Sequence, residues 1–252
     1  MEKEDLLLQK RFAELAKRSY AQHMFTFTDF LSLPELDLFY QNEPQLKFAG
    51  VTVFGGVEGT DRKVVRFGNP EELGYEEPFP IVCIAIEPLL EKFGENLNHR
   101  DYLGALMNLG IERENLGDIF IKGKTGYVFC LERIANFIME NLSQVRHTHV
   151  RLRVLESHEE FVQKEVEEMA VLSASERIDG VIAKVYNLSR SQSIDHFRAK
   201  KIYVNSRLCE NNSYQLKQGD VISVRGYGKF VYNGVGYQTK KGKLSVKVGI
   251  YK

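Results

Sequence analysis

Cysteine is scarce and badly placed for pairing. Cys83, Cys130 and Cys209 are odd in number and far apart. That excludes a disulfide framework, and no zinc-finger spacing is present. Cys83 and Cys130 lie inside apolar runs and are expected to be core thiols. No apolar run approaches the roughly 18 residues of a membrane span. The opening MEKEDLLLQK carries no signal-peptide apolar core. A soluble, cytoplasmic protein is therefore expected. Net charge is also missing, with 34 basic against 34 acidic residues. At 43% hydrophobic and 27% charged, the 252 residues have globular composition, which excludes wholesale disorder.

The zero net charge conceals a split. Residues 1–170 hold 19 Lys and Arg against 29 Asp and Glu, a net of −10. Residues 171–252 hold 15 against 5, a net of +10. A basic module on an acidic body points to a polyanionic partner, chiefly nucleic acid.

Hydrophobic periodicity predicts an amphipathic helix over 3–22 through Leu7, Leu8, Phe12, Leu15, Ala16 and Tyr20. A second helical segment is expected over 29–42, capped by Thr28 and broken at Pro34. Two strands follow, joined by the turn-forming Gly55–Gly59 link. Pro70, Gly74, Pro78 and Pro80 mark a boundary near residue 76. Residues 77–158 then read strand, helix, strand, strand, helix, strand, which is the ferredoxin-like order shared with RNA-recognition motifs. Tyr127 and Phe129 share one face of its third strand, after Lys122 and Lys124. These four residues are either a second RNA surface or, for the two aromatics, core; the acidic body argues against strong phosphate contact there. Residues 159–172 are expected to be a connecting helix striped by Phe161, Val162, Val166 and Met169.

In the basic module, helices are expected over about 175–187, capped by Ser173 or Ser175, and about 190–200, started by Ser189. The short strand IYVN, a second strand after a turn, and a hairpin over 226–252 complete it. The hairpin interleaves Phe230, Tyr232 and Tyr237 with lysines, a mixture that either stacks on bases or forms ordinary strands. Charge alone singles out Arg177, Lys184, Arg190, Arg198, Lys200 and Lys201 as candidate phosphate contacts.

Four ordered runs carry a resemblance: Ser175-x-Arg177-Ile178-Asp179, Asn187-Leu188-Ser189-Arg190-Ser191, Lys201-Ile202-Tyr203-Val204-Asn205, and Gly219 through Gly226. Together they resemble the RNA-binding domain first defined in ribosomal protein S-four, a helix pair on a small bent sheet. The resemblance implies that Arg177, Ser189, Arg190, Ser191, Arg198, Lys200, Lys201 and Asn205 face structured RNA. The chain departs from that pattern at Ser206, where Gly often stands. Over its whole length, the chain is similar to the YlmH family of bacterial ribosome-associated proteins. The run Asn108–Ile119 carries that likeness in the middle domain. The implied fold class is α+β: an acidic α/β N-terminal region, a ferredoxin-like middle domain and an S-four-type C-terminal domain from residue 173. The implied function is non-catalytic binding of ribosomal RNA, with tRNA as a further candidate, on the large ribosomal subunit in quality control or rescue of stalled complexes. A monomer is expected.

Two other classes remain open: a cell-division adaptor working through the acidic N-terminal region, and an accessory to RNA modification. Enzymatic motifs are weak. Arg177-Ile178-Asp179-Gly180 only superficially imitates a pseudouridine-synthase loop and lies within the S-four match. Gly226-Tyr227-Gly228 opens no helix, as a nucleotide loop would have to, and no Walker A run exists. His147 and His149 lack further metal ligands, and Asp29, Glu35 and Asp37 lack a catalytic partner. No cofactor or metal is expected. The Gly110–Asp118 run reads either as a functional loop or as a turn held by local ion pairs.

Overall fold

The computed structural model describes residues 3–155 and 166–251. The chain divides into two compact units, Met1–Gln163 and Lys164–Lys252.

In the first unit, α1 (Lys3–Gln22) buries Phe12, Leu15, Ala16 and Ser19, one stripe at helical spacing. Leu7 and Tyr20 lie outside that stripe and are exposed. β1 (Thr26–Phe27) precedes α2 (Leu33–Leu46). The expected start and break of this helix are corrected. Ser32 is the N-cap, its N–H and hydroxyl both donating to Glu35 at 2.6 Å. Pro34 falls in the first turn, where its missing N–H costs nothing, so it begins the helix rather than breaking it. The Thr28 hydroxyl instead accepts from the Val65 N–H at 2.9 Å. β2 (Val51–Phe54) and β3 (Val64–Phe67) pair antiparallel, with β1 on the other side of β3. The short α3 (Pro70–Leu73) ends at Gly74, whose φ of +76° suits glycine.

A five-stranded antiparallel sheet follows. It comprises β4 (Ile81–Pro88), β5 (Leu116–Lys122), β6 (Thr125–Leu131), β7 (Gln144–Val145) and β8 (Thr148–Leu155), ordered β5-β6-β4-β8-β7. α4 (His99–Asn108) joins β4 to β5, and α5 (Glu132–Asn141) follows β6. Strand alternation divides the residues between two layers. Ile84, Ile86, Val128 and Cys130 pack with Tyr102, Leu106, Ala135 and Ile138 from the helices. Cys83, Ala85, Tyr127, Phe129 and Leu131 point the other way and pack with Phe30, Val57 and Val64 of the N-terminal region.

That second layer has two consequences. The N-terminal region is not an independent body ending near residue 76, because it shares a core with the middle sheet. And the aromatic face that could have met RNA is covered: Tyr127 is 6% exposed and Phe129 is 0%. The cover fits closely. A Cβ on Gly56 would lie 2.3 Å from the Phe129 ring, and one on Gly117 would lie 2.8 Å from Phe30.

The run Gly110–Asp118 joins the two parts. The Asp118 carboxylate accepts from the N–H groups of Asp61 and Arg62, at 2.7 and 3.2 Å. The Arg62 guanidinium donates to the carbonyls of Leu116, Phe30 and Arg113. Arg113 donates to the carbonyls of Leu116 and Gly117. Burial, with Arg62 nearby, pushes Arg113 down to about 10 against the opposing pull of Asp118. These partners give the run a structural role.

The second unit corrects the expected connecting helix. Residues 159–165 lie outside the described residues, but β9 (Val166–Ser173) is a strand, paired along its whole length with β14 (Leu244–Tyr251). The open edge of β14 supplies a row of backbone hydrogen bonds, and this outweighs the helix preference of Glu167, Glu168 and Met169. The unit therefore begins before residue 173. α6 (Ile178–Val185) and α7 (Arg190–Arg198) follow. Next come β10 (Ile202–Val204), β11 (Arg207–Leu208), β12 (Val221–Val224) and β13 (Gly228–Gln238). The antiparallel sheet runs β11-β10-β12-β13-β14-β9. Val181, Ile182, Val185 and Phe197 of the helix pair bury against Ile202, Ile222, Val224, Phe230, Tyr232, Val246 and Val248.

Candidate nucleic-acid interface

The N-cap of α6 is Arg177, not either expected serine; its backbone is extended and its side chain makes no cap. The carboxylate of Asp179, in the first turn, is the centre of the local structure. Its side chain is 1% exposed. Arg177 reaches it through two hydrogen bonds, Nε to Oδ1 at 3.1 Å and Nη2 to Oδ2 at 2.9 Å. Arg190, in the first turn of α7, approaches the same carboxylate at 3.5 Å. The Gly180 N–H donates to it at 2.9 Å. The Ser193 hydroxyl donates to the Asp179 carbonyl at 2.9 Å, tying α7 to α6. A buried anion at a helix N-terminus is favoured by the dipole, and here it also orients two guanidinium groups. Arg177 keeps one third of its side chain exposed and Arg190 keeps 70%, so both retain donors for a further acceptor.

The structure thus brings Arg177 and Arg190 together. A second basic group gathers after α7. Lys201 is exposed and its carbonyl accepts from the N–H of Arg225, also exposed, at 3.0 Å. Arg198 pairs with Asp195 at 3.2 Å and Lys200 with Glu210 at 3.5 Å, all four side chains mostly exposed. Such surface pairs contribute about 0–1 kcal/mol each, so a phosphate can displace them. Lys184 is exposed on α6.

Three positions carried by the resemblance have internal duties. Ser189 caps α7: its hydroxyl accepts from the Gln192 N–H at 3.2 Å, and its own N–H donates to the Gln192 side chain. Ser191 lies against Ser189, their hydroxyls 3.0 Å apart. Asn205 is exposed but engaged: its side-chain amide N–H donates to Asp220 at 2.9 Å and its side-chain carbonyl accepts from the Val221 N–H. Asp220 also takes hydrogen bonds from the Lys217 N–H and the Tyr214 hydroxyl, so Asn205 belongs to a turn-holding network. Burial and that carboxylate push the Tyr214 hydroxyl up.

In the hairpin, Phe230 and Tyr232 are core, 0% and 1% exposed. The Tyr232 hydroxyl donates to Glu176, and burial followed by that carboxylate raises it far above the ordinary tyrosine value. Tyr237 is 64% exposed. In the first unit, Lys122 is exposed, while the Lys124 ammonium donates to the Glu91 carbonyl at 2.8 Å. With Tyr127 and Phe129 buried, those lysines do not frame an aromatic surface.

A local pair of Arg177 with Asp179 is readable in the sequence, but the sharing of that carboxylate with Arg190 was missed, as were Arg225 and Tyr227. The signal for Asp179 was an acid two residues after Arg177 in a helix start. The signal for Tyr227 was an aromatic flanked by two glycines beside Arg225.

Residues 75–170 match the family model described as "Putative RNA-binding domain in YlmH". The chain is 28% identical over 232 residues to the "Ribosome-associated protein quality control protein P2" of Bacillus subtilis (strain 168), covering 89% of this chain and 87% of that protein. A solved structure, "Cell division protein ylmH from Streptococcus pneumoniae", aligns with 65% of this chain and 97% of its own at 20% identity and a TM-score of 0.48. No helix among the described residues is long and apolar enough to cross a membrane. By the match of the family model over residues 75–170 and the likeness along most of its length, the chain is similar to YlmH proteins.

Proposed function

We propose that this protein is a non-catalytic RNA-binding factor of ribosome-associated quality control, docking on structured ribosomal RNA of the large subunit, with tRNA as the second RNA in reach. The observation that carries the reading is the pair of outward-reaching arginines, Arg177 and Arg190, held on one buried carboxylate in a module of net charge +10. Pre-orientation lowers the cost of fixing two long side chains on phosphates. We read the module as S-four-type, from its helix pair on a small sheet, and the middle sheet as ferredoxin-like, from its strand order. The name of the Bacillus subtilis relative supplies the quality-control setting. Recognition here rests on backbone and shape, as is usual for folded RNA.

The test is sedimentation with purified ribosomal subunits across a salt series, for the native chain and for Arg177→Ala/Arg190→Ala. Co-sedimentation with the large subunit that falls with salt and with the double change is the expected outcome. Absence of binding at low salt, or binding indifferent to both perturbations, refutes the assignment and turns attention to a protein partner of the acidic unit. Turnover of an RNA substrate by the purified chain would overturn the non-catalytic reading.

A further inference from the structure

The Gly226-Tyr227-Gly228 run has no part in the phosphate-binding scheme. It forms the turn between β12 and β13, closed by the Tyr227 N–H donating to the Val224 carbonyl at 2.9 Å. Gly226 has φ +92° and Gly228 φ +132°, conformations that side chains rarely adopt, so both neighbours of Tyr227 are held to glycine by the backbone. Nothing lies within 4 Å of a Cβ built on Gly226, which leaves one side of the turn open.

The turn presents Tyr227 in a defined way. Its ring is supported by His196 of α7 at 5.0 Å and by Tyr186, just after α6, at 5.5 Å. The rings are inclined at 69° and 53°, so neither neighbour lies flat on Tyr227. The side chain remains 46% exposed although two rings brace it. The residue before the turn is Arg225, whose N–H is bonded to the Lys201 carbonyl, and the Lys201 N–H in turn donates to the His196 carbonyl at 3.0 Å. One chain of backbone bonds therefore ties together the segments that carry His196, the two exposed cations and the Tyr227 turn. A braced, half-exposed ring on a turn tied to exposed cations has the make-up of a stacking platform for single-stranded nucleic acid.

We infer that Tyr227, braced by His196 and Tyr186, stacks against an unpaired base of the bound RNA, while Arg225 and Lys201 hold the flanking phosphates. This rests on the RNA-binding reading above and deepens it. The module would prefer RNA with an unstacked nucleotide over a continuous duplex, a discrimination that charge alone does not provide.

The chain contains no tryptophan, so Tyr227→Trp introduces a single fluorescent reporter at the proposed contact. The full-length protein is titrated at low salt with a short oligoadenylate and with a fully paired RNA duplex of equal charge. Quenching of Trp emission by oligoadenylate and not by duplex is the expected result. In binding assays, Tyr227→Leu should weaken oligoadenylate binding by roughly 5- to 150-fold, the range expected when one base stack is removed. It should leave duplex binding and its salt slope unchanged, and Tyr227→Phe should bind as the native chain does. The duplex arm reports a misfolded Leu variant, because loss of the whole module would weaken both RNAs. The inference is overturned if Tyr227→Leu binds oligoadenylate like the native chain, if it loses both RNAs equally while Tyr227→Phe does not rescue the preference, or if emission at position 227 ignores saturating oligoadenylate. Native protein that binds neither RNA nor ribosomal subunits defeats the RNA-binding reading itself.

Discussion

Replacing Asp179 by Asn separates orientation from charge. The substitution keeps the side chain's size and removes the anion that holds Arg177 at 2.9 Å and Arg190 at 3.5 Å. Breaking a fully buried ion pair costs about 3–5 kcal/mol. Here Arg177 is one third exposed and Arg190 mostly exposed, so water recovers part of their solvation. An amide oxygen also still accepts one hydrogen bond, and the expected loss is therefore about 1–3 kcal/mol. For a unit of fewer than 100 residues, each kcal/mol moves the midpoint by roughly 4–8 °C, which puts the fall at roughly 4–24 °C. Thermal unfolding of the full chain, followed by circular dichroism, measures it in the transition of the C-terminal unit. The same variant makes that unit more positive by one charge. Simple electrostatics then demands tighter RNA binding, whereas loss of guanidinium orientation demands weaker binding to large subunits. An unchanged midpoint together with tighter, equally salt-dependent subunit binding would refute the assigned role of Asp179.

Other outcomes follow from the same structure. Arg190→Ala and Lys201→Ala should each lower the slope of log K against log salt by about 0.7–0.9 for every phosphate the native side chain neutralises, measured by filter binding. Gly56→Ala should destabilise the first unit by about 2–3 kcal/mol in denaturant titration, since its Cβ meets the Phe129 ring and its φ is +102°; native-like stability would show that the cover over Phe129 is loose. Ser206→Gly should stabilise by up to about 1 kcal/mol, because Ser206 sits at φ +64°, where an L side chain is disfavoured; the measurement is the midpoint of urea unfolding. Burial alone would raise the Glu87 carboxyl, but hydrogen bonds from Arg153 and Arg151 reverse this and hold it below the usual value. Its contribution is therefore present above the ordinary carboxylate range and lost as pH falls through the depressed value, so Glu87→Gln should flatten the acid limb of the stability–pH curve. Burial pushes the Cys83 and Cys130 thiols up to about 12, so both should ignore a thiol reagent at neutral pH until denaturant is added.

Much of this architecture is legible in the sequence because the signals are local. The stripe through Phe12, Leu15 and Ala16 places α1, and the Ser189–Gln192 capping box starts α7. The strand–helix order of residues 81–155 follows from hydrophobic period and turn chemistry. The charge split, with the four ordered runs of the basic module, is enough to point to RNA. The misses are of a different kind. Glu167, Glu168 and Met169 favour helix by propensity, yet these residues form a strand because β14, some eighty residues later, offers its edge. Pattern leans to core for Tyr127 and Phe129 but leaves an RNA surface open; Phe30, Val57 and Val64, arriving from a distant segment, decide for core.

The candidate interface divides in the same way. Residue type and spacing determined by themselves that a basic, helix-paired module exists and which cations it can offer. Only the tertiary structure decided which of these cations act together, because pairing depends on distances between elements. It put Arg177 and Arg190 on one buried Asp179, tied Asn205 to Asp220, and joined the turn that carries Tyr227 to Lys201 through Arg225. A side chain's charge is a property of the residue. Its orientation is set by neighbours that folding brings together.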